Sequence, residues 1–332
     1  MQSLRLVVLA LALLDCLASL YSNNTDHMEF AWNQFKADYN KRYASPAEDA
    51  SRFAVFVQNM AVADARNLAE QAAGGSAVHG VTKFSDLSQD EFASRYLTSI
   101  PPAAKAKKNV VHMPLAAGET VSQDWTGTYT TPVKNQGYCG SCWAFSAVEQ
   151  IESDAMRTLG DTYILAPQQV VSCDNLQSEG CNGGWSEDAY DYVKQAGGIV
   201  QESDYPYSTA SSQFGISGTC QTSETTNPVV TVSDYTTVSG ESSMASYVGS
   251  TGPLSVCLDA STWNSYTGGV MKVCGNSVDH CVQAVGVDTS TSWKVRNSWG
   301  TSWGESGFIQ LTYGSNTCDI TNDPTYVAVS NV

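Results

Sequence analysis

Positive charge is scarce in this chain. Its 332 residues include 17 Lys and Arg against 33 Asp and Glu, a net charge of −16. The imbalance sits on one side of Ala117: from there onward 22 acidic residues face 6 basic ones, while the segment before it is neutral. A surface of that sign repels nucleic acid and anionic membranes, so neither is an expected partner. It also suits a protein that must stay soluble in an acidic compartment. Long apolar runs are equally rare. Residues 4–14 form one, with Arg5 near its start and small residues at Cys16, Ala18 and Ser19 behind it. It is too short for a membrane span and reads as a secretory signal peptide over residues 1–20. Histidine is the third shortage. There are four, and His27, His79 and His112 all precede the acidic part, which keeps His280 alone. Charge is low throughout (15 %) but aromatics reach 10 %, enough to bury a large core and to exclude disorder.

What is present concentrates in residues 135–145, Asn-Gln-Gly-Tyr-Cys-Gly-Ser-Cys-Trp-Ala-Phe. Trp143, Phe145, Val148 and Ile151 follow Cys142 at helical spacing, which places the thiol in the first turn of a helix. A helix N-terminus favours thiolate over thiol. Such a sulfur is a usable nucleophile when a base stands beside it. His280 lies 138 residues on, Asn297 lies 155 on, and Gln136 sits six residues upstream.

With those four positions in order, the chain resembles the papain–cathepsin cysteine peptidases, whose signature is this Cys motif with His and Asn well downstream. The resemblance covers nearly the whole chain. It implies that Cys142 attacks the scissile carbonyl and that His280 partners the thiolate and protonates the leaving amine. Asn297 would orient the imidazole under the cover of Trp299 and Trp303. Gln136 and the Cys142 backbone N–H would bind the oxyanion. Gly183 and Gly184 would pair with an extended substrate backbone. Trp185, Cys257, Cys281 and Trp299 would shape the substrate site, and Asp323 would floor the pocket for the second residue on the acyl side, admitting Arg or Lys. Because no histidine-bearing insertion follows the Cys181-Asn-Gly-Gly stretch, an endopeptidase is implied rather than an exopeptidase. No cofactor and no metal is implied.

Nine cysteines remain beyond the signal peptide, an odd number that leaves one thiol free behind a secretory leader. The resemblance supplies Cys139–Cys181, Cys173–Cys220 and Cys274–Cys318. Cys257 and Cys281 are extra to these; neighbouring strands would hold them, so a fourth bridge is expected.

Ahead of the motif, Glu48, Arg52, Phe56, Asn59 and Asn67 line one face of a helix expected over residues 28–67, with a Glu48–Arg52 pair at i,i+4. The set resembles the E-R-F-N-I-N propeptide motif of cathepsin L-like zymogens, with Ala63 in place of isoleucine. Gly80, Phe84 and Asp86 match a second propeptide motif, with Thr82 in place of Asn. The resemblance implies an inhibitory propeptide over 21–116, a cuttable linker at 101–114, and a peptidase domain over 117–332 activated at acid pH. Helices are expected at 143–159, 166–172 and 186–195, and strands at 229–232, 254–258, 282–287, 293–297 and 308–312. The expected fold is therefore α+β: a papain-like helical lobe and β lobe behind a helical prodomain.

Expected partners are peptide and protein substrates, the chain's own propeptide and cystatin-like inhibitors; a monomer is expected. The destination reads as the secretory pathway, then lysosome, vacuole or exterior. Three rival readings remain: a C-x-x-C thiol oxidoreductase built on Cys139 and Cys142, a zinc site drawn from Cys139, Cys142, His280 and Cys281, and a catalytically silent binding protein.

Overall fold

The computed structural model describes residues 19–98, 107–174 and 178–332. The apolar run at 4–14 and the first part of the expected linker, 101–106, lie outside the described residues. Two helices open the chain, α1 (Thr25–Asp38) and α2 (Pro46–Ala73). The single helix expected over 28–67 is thus corrected. Asn40 adopts a left-handed φ of 50°, and Ser45 caps a new helix whose first turn carries Pro46, where a missing N–H costs nothing. Met28, Trp32 and Phe35 of α1 bury against Phe56 and Met60 of α2, with Trp32 and Phe56 ring centroids 5.3 Å apart.

The expected Glu48–Arg52 pair is also corrected. Arg52 reaches across to Glu91 at 2.6 Å and to the Asp86 carbonyl, while Glu48 accepts the Ala44 N–H. Glu91 belongs to α3 (Gln89–Tyr96), so Arg52 ties two prosegment helices together rather than bracing one. Asn59 donates to the Ser85 and Leu87 carbonyls, and Asn67 takes both the N–H and the carbonyl of His79. Asp86 receives Lys41 at 2.7 Å and the Tyr43 hydroxyl at 2.9 Å. The motif residues therefore hold irregular backbone in place.

Between α2 and α3 runs β1 (Val78–His79). Beyond the linker come β2 (Ser122–Asp124), α4 (Cys142–Thr158), α5 (Pro167–Cys173), α6 (Ser186–Gln195) and α7 (Thr209–Phe214). The remainder is β3 (Val230–Thr237), α8 (Glu241–Ser250), β4 (Leu254–Leu258), β5 (Tyr266–Gly268), β6 (Val270–Met271), β7 (His280–Asp288), β8 (Ser292–Arg296), β9 (Phe308–Thr312) and β10 (Thr325–Asn331). Strands β3, β10, β4, β7, β8, β9 and β6 form one sheet in that order, with β2 pairing onto β7.

Every residue of α4 from Cys142 to Ala155 is buried, because the helix runs between α5 and α6 on one side and β7 and β10 on the other. Two cores result: one of Val148, Ile151, Tyr190 and Val193 with the inner faces of β3 and β10, the other of Trp263, Trp293 and Trp303 within the sheet lobe. The helix α8 was not foreseen in the strand-rich half. Its Ser-rich sequence carries a weak pattern, yet Met244, Tyr247 and Val248 bury over the sheet.

The N-terminal helical segment grips the rest of the chain by strand addition. Val78 and His79 pair antiparallel with Gly268 and Tyr266, and Gly80 N–H donates to the Ser265 carbonyl. The described part of the linker is not a free tether either. Val111 N–H donates to the Thr237 carbonyl and Thr237 N–H to that of Lys108, so this stretch lies along β3.

Candidate active site

Cys142 is the first residue of α4. Ser141 stands at the cap position without making a side-chain cap bond, because its hydroxyl meets the Tyr207 hydroxyl at 2.9 Å. The first-turn N–H groups are thereby left to the sulfur. Those of Cys142 and Trp143 act on Sγ, and Cys281 N–H donates to it at 3.4 Å. Among the described residues Cys142 is the one free cysteine.

His280 opens β7, the strand that packs on α4. Its Nε2 lies 2.8 Å from Asn297 Oδ1, which also accepts the Ser298 N–H at 2.8 Å. Because that oxygen only accepts, Nε2 carries the proton and Nδ1 is the bare nitrogen. Nδ1 is buried and, among the described residues, has no hydrogen-bond partner. Trp299 packs against the imidazole with centroids 4.8 Å apart, and Trp303 meets Trp299 edge-on at 4.9 Å. Asn297, Trp299 and Trp303 are wholly buried, so the His–Asn hydrogen bond is dry.

Gln136 is positioned from three sides. Its N–H donates to the Ser298 carbonyl, its own carbonyl accepts the Tyr207 hydroxyl, and its Oε1 accepts the Ser298 hydroxyl at 2.7 Å. Nε2 therefore points outward, donating to the Cys139 carbonyl at 2.9 Å and the Tyr96 carbonyl at 3.1 Å. Tyr96 is the last residue of α3. Thr98, two residues on, donates its N–H to the Asp279 carbonyl and accepts the Gly184 N–H on its hydroxyl. Phe84 and Phe92 stack edge-on against Trp299, and Lys83 Nζ donates to the Trp299 carbonyl at 2.5 Å. Residues 83–98 thus engage the Gln136 amide, the Asp279 carbonyl, the Gly184 N–H and Trp299 together.

Burial sets the electrostatics, since Cys142 and His280 are both fully buried. Burial pushes the Cys142 thiol up to about 12, outweighing the backbone N–H groups that pull it down. Burial likewise lowers the His280 imidazole to about 4, against the raising effect of Asn297. Both groups are neutral near pH 7 in this buried state.

Gly183 has φ 134°, a conformation costly for other residues, and a Cβ on Gly184 would stand 2.8 Å from the Trp143 ring. Trp185 is buried beside the Cys257–Cys281 disulfide, whose halves face each other across β4 and β7. Asp323 stands apart from the catalytic group, its carboxyl turned to Glu187. Disulfides also join Cys139–Cys181, Cys173–Cys220 and Cys274–Cys318. With Cys139 tied to Cys181 and Cys281 to Cys257, neither the C-x-x-C redox pair nor the zinc set has its ligands. Sequence reasoning missed Ser141, Tyr207 and Ser298, which orient the site through hydroxyls, and the backbone carbonyl of Asp279. No residue-type pattern marks such roles.

The papain family cysteine protease profile matches residues 120–328, and that of the cathepsin propeptide inhibitor domain matches residues 32–92. Cathepsin L 2 of Paramecium tetraurelia is 37 % identical over 320 residues, covering 93 % of this chain and 97 % of its own. Cysteine proteinase A of Leishmania mexicana is 37 % identical over 310 residues, covering 90 % and 85 %. Digestive procathepsin L2 from Tenebrio molitor larval midgut superposes with a TM-score of 0.77 at 31 % identity, over 91 % of this chain and 99 % of that one. Recombinant stem bromelain precursor gives 0.76 at 28 % identity, over 91 % and 98 %.

Proposed function

Because the chain belongs to the papain family of cysteine proteases and carries that family's propeptide inhibitor domain, we propose that Cys142, His280, Asn297 and Gln136 are its catalytic residues. Removal of the prosegment would expose them to a peptide. His280 Nδ1 takes the Cys142 proton as sulfur attacks the scissile carbonyl, and the Gln136 amide and Cys142 N–H hold the oxyanion. The tetrahedral adduct collapses to a thioester as His280 returns the proton to the leaving amine. Water then cleaves the thioester, releasing the acid and restoring the thiol.

The observation that carries this reading is the Tyr96 carbonyl held by Gln136 Nε2, with Cys142 the free, buried cysteine among the described residues. A prosegment carbonyl in that place mimics a bound substrate and explains the latency of the zymogen. In a pure preparation at acid pH, Cys142→Ala abolishes peptide hydrolysis and leaves the prosegment attached. Processing or hydrolysis that persists in Cys142→Ala would sink the assignment.

The same reading extends to features that rest on resemblance. Residues 1–20 direct secretion, the mature chain begins between 115 and 121, and the destination is a lysosome, a vacuole or the exterior. Gly184 and the Asp279 carbonyl pair with the substrate backbone, as they now do with Thr98. Asp323 floors the pocket for the second acyl-side residue and admits Arg or Lys beside bulky apolar side chains. Cystatin-like proteins are the expected inhibitors, and the enzyme acts as a monomer.

A further inference from the structure

Strand β3 stands at the end of the main sheet's strand order, with β10 paired along one side. Its other side is occupied by residues 108–115 of the linker. At the end of β3 the backbone alternates. Val238 N–H turns inward to the Pro324 carbonyl, while Thr237 and Ser239 N–H turn outward to the Lys108 and Val111 carbonyls. The Thr237 carbonyl accepts Val111 N–H at 2.9 Å, and Val111 stands in parallel register with Val238. A sheet edge offers such a row of donors and acceptors to any extended chain.

Side chains make the edge selective. Lys108 Nζ lies 3.1 Å from Asp191 on α6 and 4.6 Å over the Tyr235 ring. The Asn109 amide donates to Asp234 Oδ2 at 2.9 Å and to the Tyr235 carbonyl at 3.1 Å. Val111 and Leu115 pack on the core of the sheet lobe, and the Met113 and Leu115 N–H groups donate to the Ser243 and Ser242 hydroxyls of α8. The charges are complementary. Lys107 and Lys108 lie on the seated segment, whereas Asp191 and Asp234 belong to a part with 22 acidic and 6 basic residues.

We propose that the β3 edge is a second peptide-binding site, which takes by strand addition an extended polypeptide segment carrying a lysine and, three residues on, an aliphatic side chain. Residues 107–116 are its resident ligand in the zymogen. The proposal rests on the mature chain beginning between 115 and 121, so that activation vacates the edge. Backbone pairing then supplies most of the affinity, because a half-exposed ion pair contributes little. The lysine between Asp191 and Tyr235 sets the register. A protein held there is anchored through residues other than those that cut it.

The probe is the free peptide of residues 107–116, titrated by fluorescence anisotropy against activated enzyme. Cys142 is first alkylated with an epoxide, so the probe stays intact. Saturable binding below about 1 mM is expected. N-methylation of Val111 removes the donor to the Thr237 carbonyl and should weaken binding about tenfold. The Asp191→Asn/Asp234→Asn variant should weaken it about three- to tenfold. Its hydrolysis of a short peptide before alkylation should match wild type, which shows that it is folded. No saturable binding, or equal binding of the N-methylated probe or to the double variant, overturns the proposal. So does an activated enzyme whose mass retains residues 107–116. Hydrolysis is read separately: an activated chain that binds the probe but cleaves nothing would contradict the peptidase reading and leave the edge site standing.

Discussion

Gln136 Nε2 donates a 3.1 Å hydrogen bond to the carbonyl oxygen of Tyr96. The donor comes from the loop ahead of the nucleophile and the acceptor from the last residue of a prosegment helix. One contact thus joins the group proposed to bind the oxyanion to the element that blocks it. The Ser298 hydroxyl fixes which end of the Gln136 amide faces the cleft.

Replacing Gln136 by Ala should lower kcat of the activated enzyme by about a hundred- to a thousandfold, the usual effect of losing one oxyanion donor. KM should move far less, since the donor acts mainly on the tetrahedral adduct. Steady-state kinetics with a burial-matched peptide checks this, and a kcat within a few fold of wild type would count against the role.

Acid release of the prosegment should depend on His79. This imidazole is 2 % exposed at the strand-addition contact, with Nδ1 2.9 Å from the Ser265 hydroxyl. Arg66 lies beside it, donating to Asn264 and Ser265, and burial and then that charge lower His79 from 6.5 to about 4. A histidine depressed in the docked state binds its proton better once released. Its contribution to docking is fully present above 6.5 and is lost as pH falls through about 4. Glu70, buried against the Lys272 and Val273 N–H groups, is raised by burial and works in the opposite sense. His79→Gln, which keeps a neutral partner for Ser265, should therefore move the half-activation pH of the purified zymogen downward. An unchanged activation profile would remove His79 as the sensor.

The Cys257–Cys281 bridge spans 24 residues of sequence. In the chain-entropy picture a loop of that size stabilises by about 3 kcal/mol. The Cys257→Ser/Cys281→Ser double variant should lose about 6–12 °C in Tm for a domain of this size. Denatured but unreduced zymogen should show one reactive thiol. Three thiols, or an unchanged melting point, would contradict the bridge.

Much of this was legible in the chain because the informative features are local. The spacing of Trp143, Val148 and Ile151 gives α4, and the alternation in β4 and β9 gives those strands at their observed bounds. The break between α1 and α2 was harder to see, because Phe35, Tyr39 and Phe53 keep an apolar rhythm across it. Only the backbone conformation of Asn40 and the Ser45 cap reveal the turn. Arg52 shows a different limit. Its i−4 neighbour is Glu48, but Glu91 is 39 positions away in sequence and nearer in space. The complete burial of the thiol and the imidazole was invisible for the same reason, since burial is a tertiary property.

The central claim is that a prosegment holds Cys142 silent and that its removal yields a peptidase. The direct measurement follows recombinant zymogen at acid pH with a thiol reductant, tracking mass, peptide cleavage and labelling by a cysteine-alkylating epoxide. The account predicts loss of the prosegment, activity that rises in step with it, and one adduct, on Cys142, that forms only after the loss. A shortened chain that cleaves nothing and takes no label would contradict it.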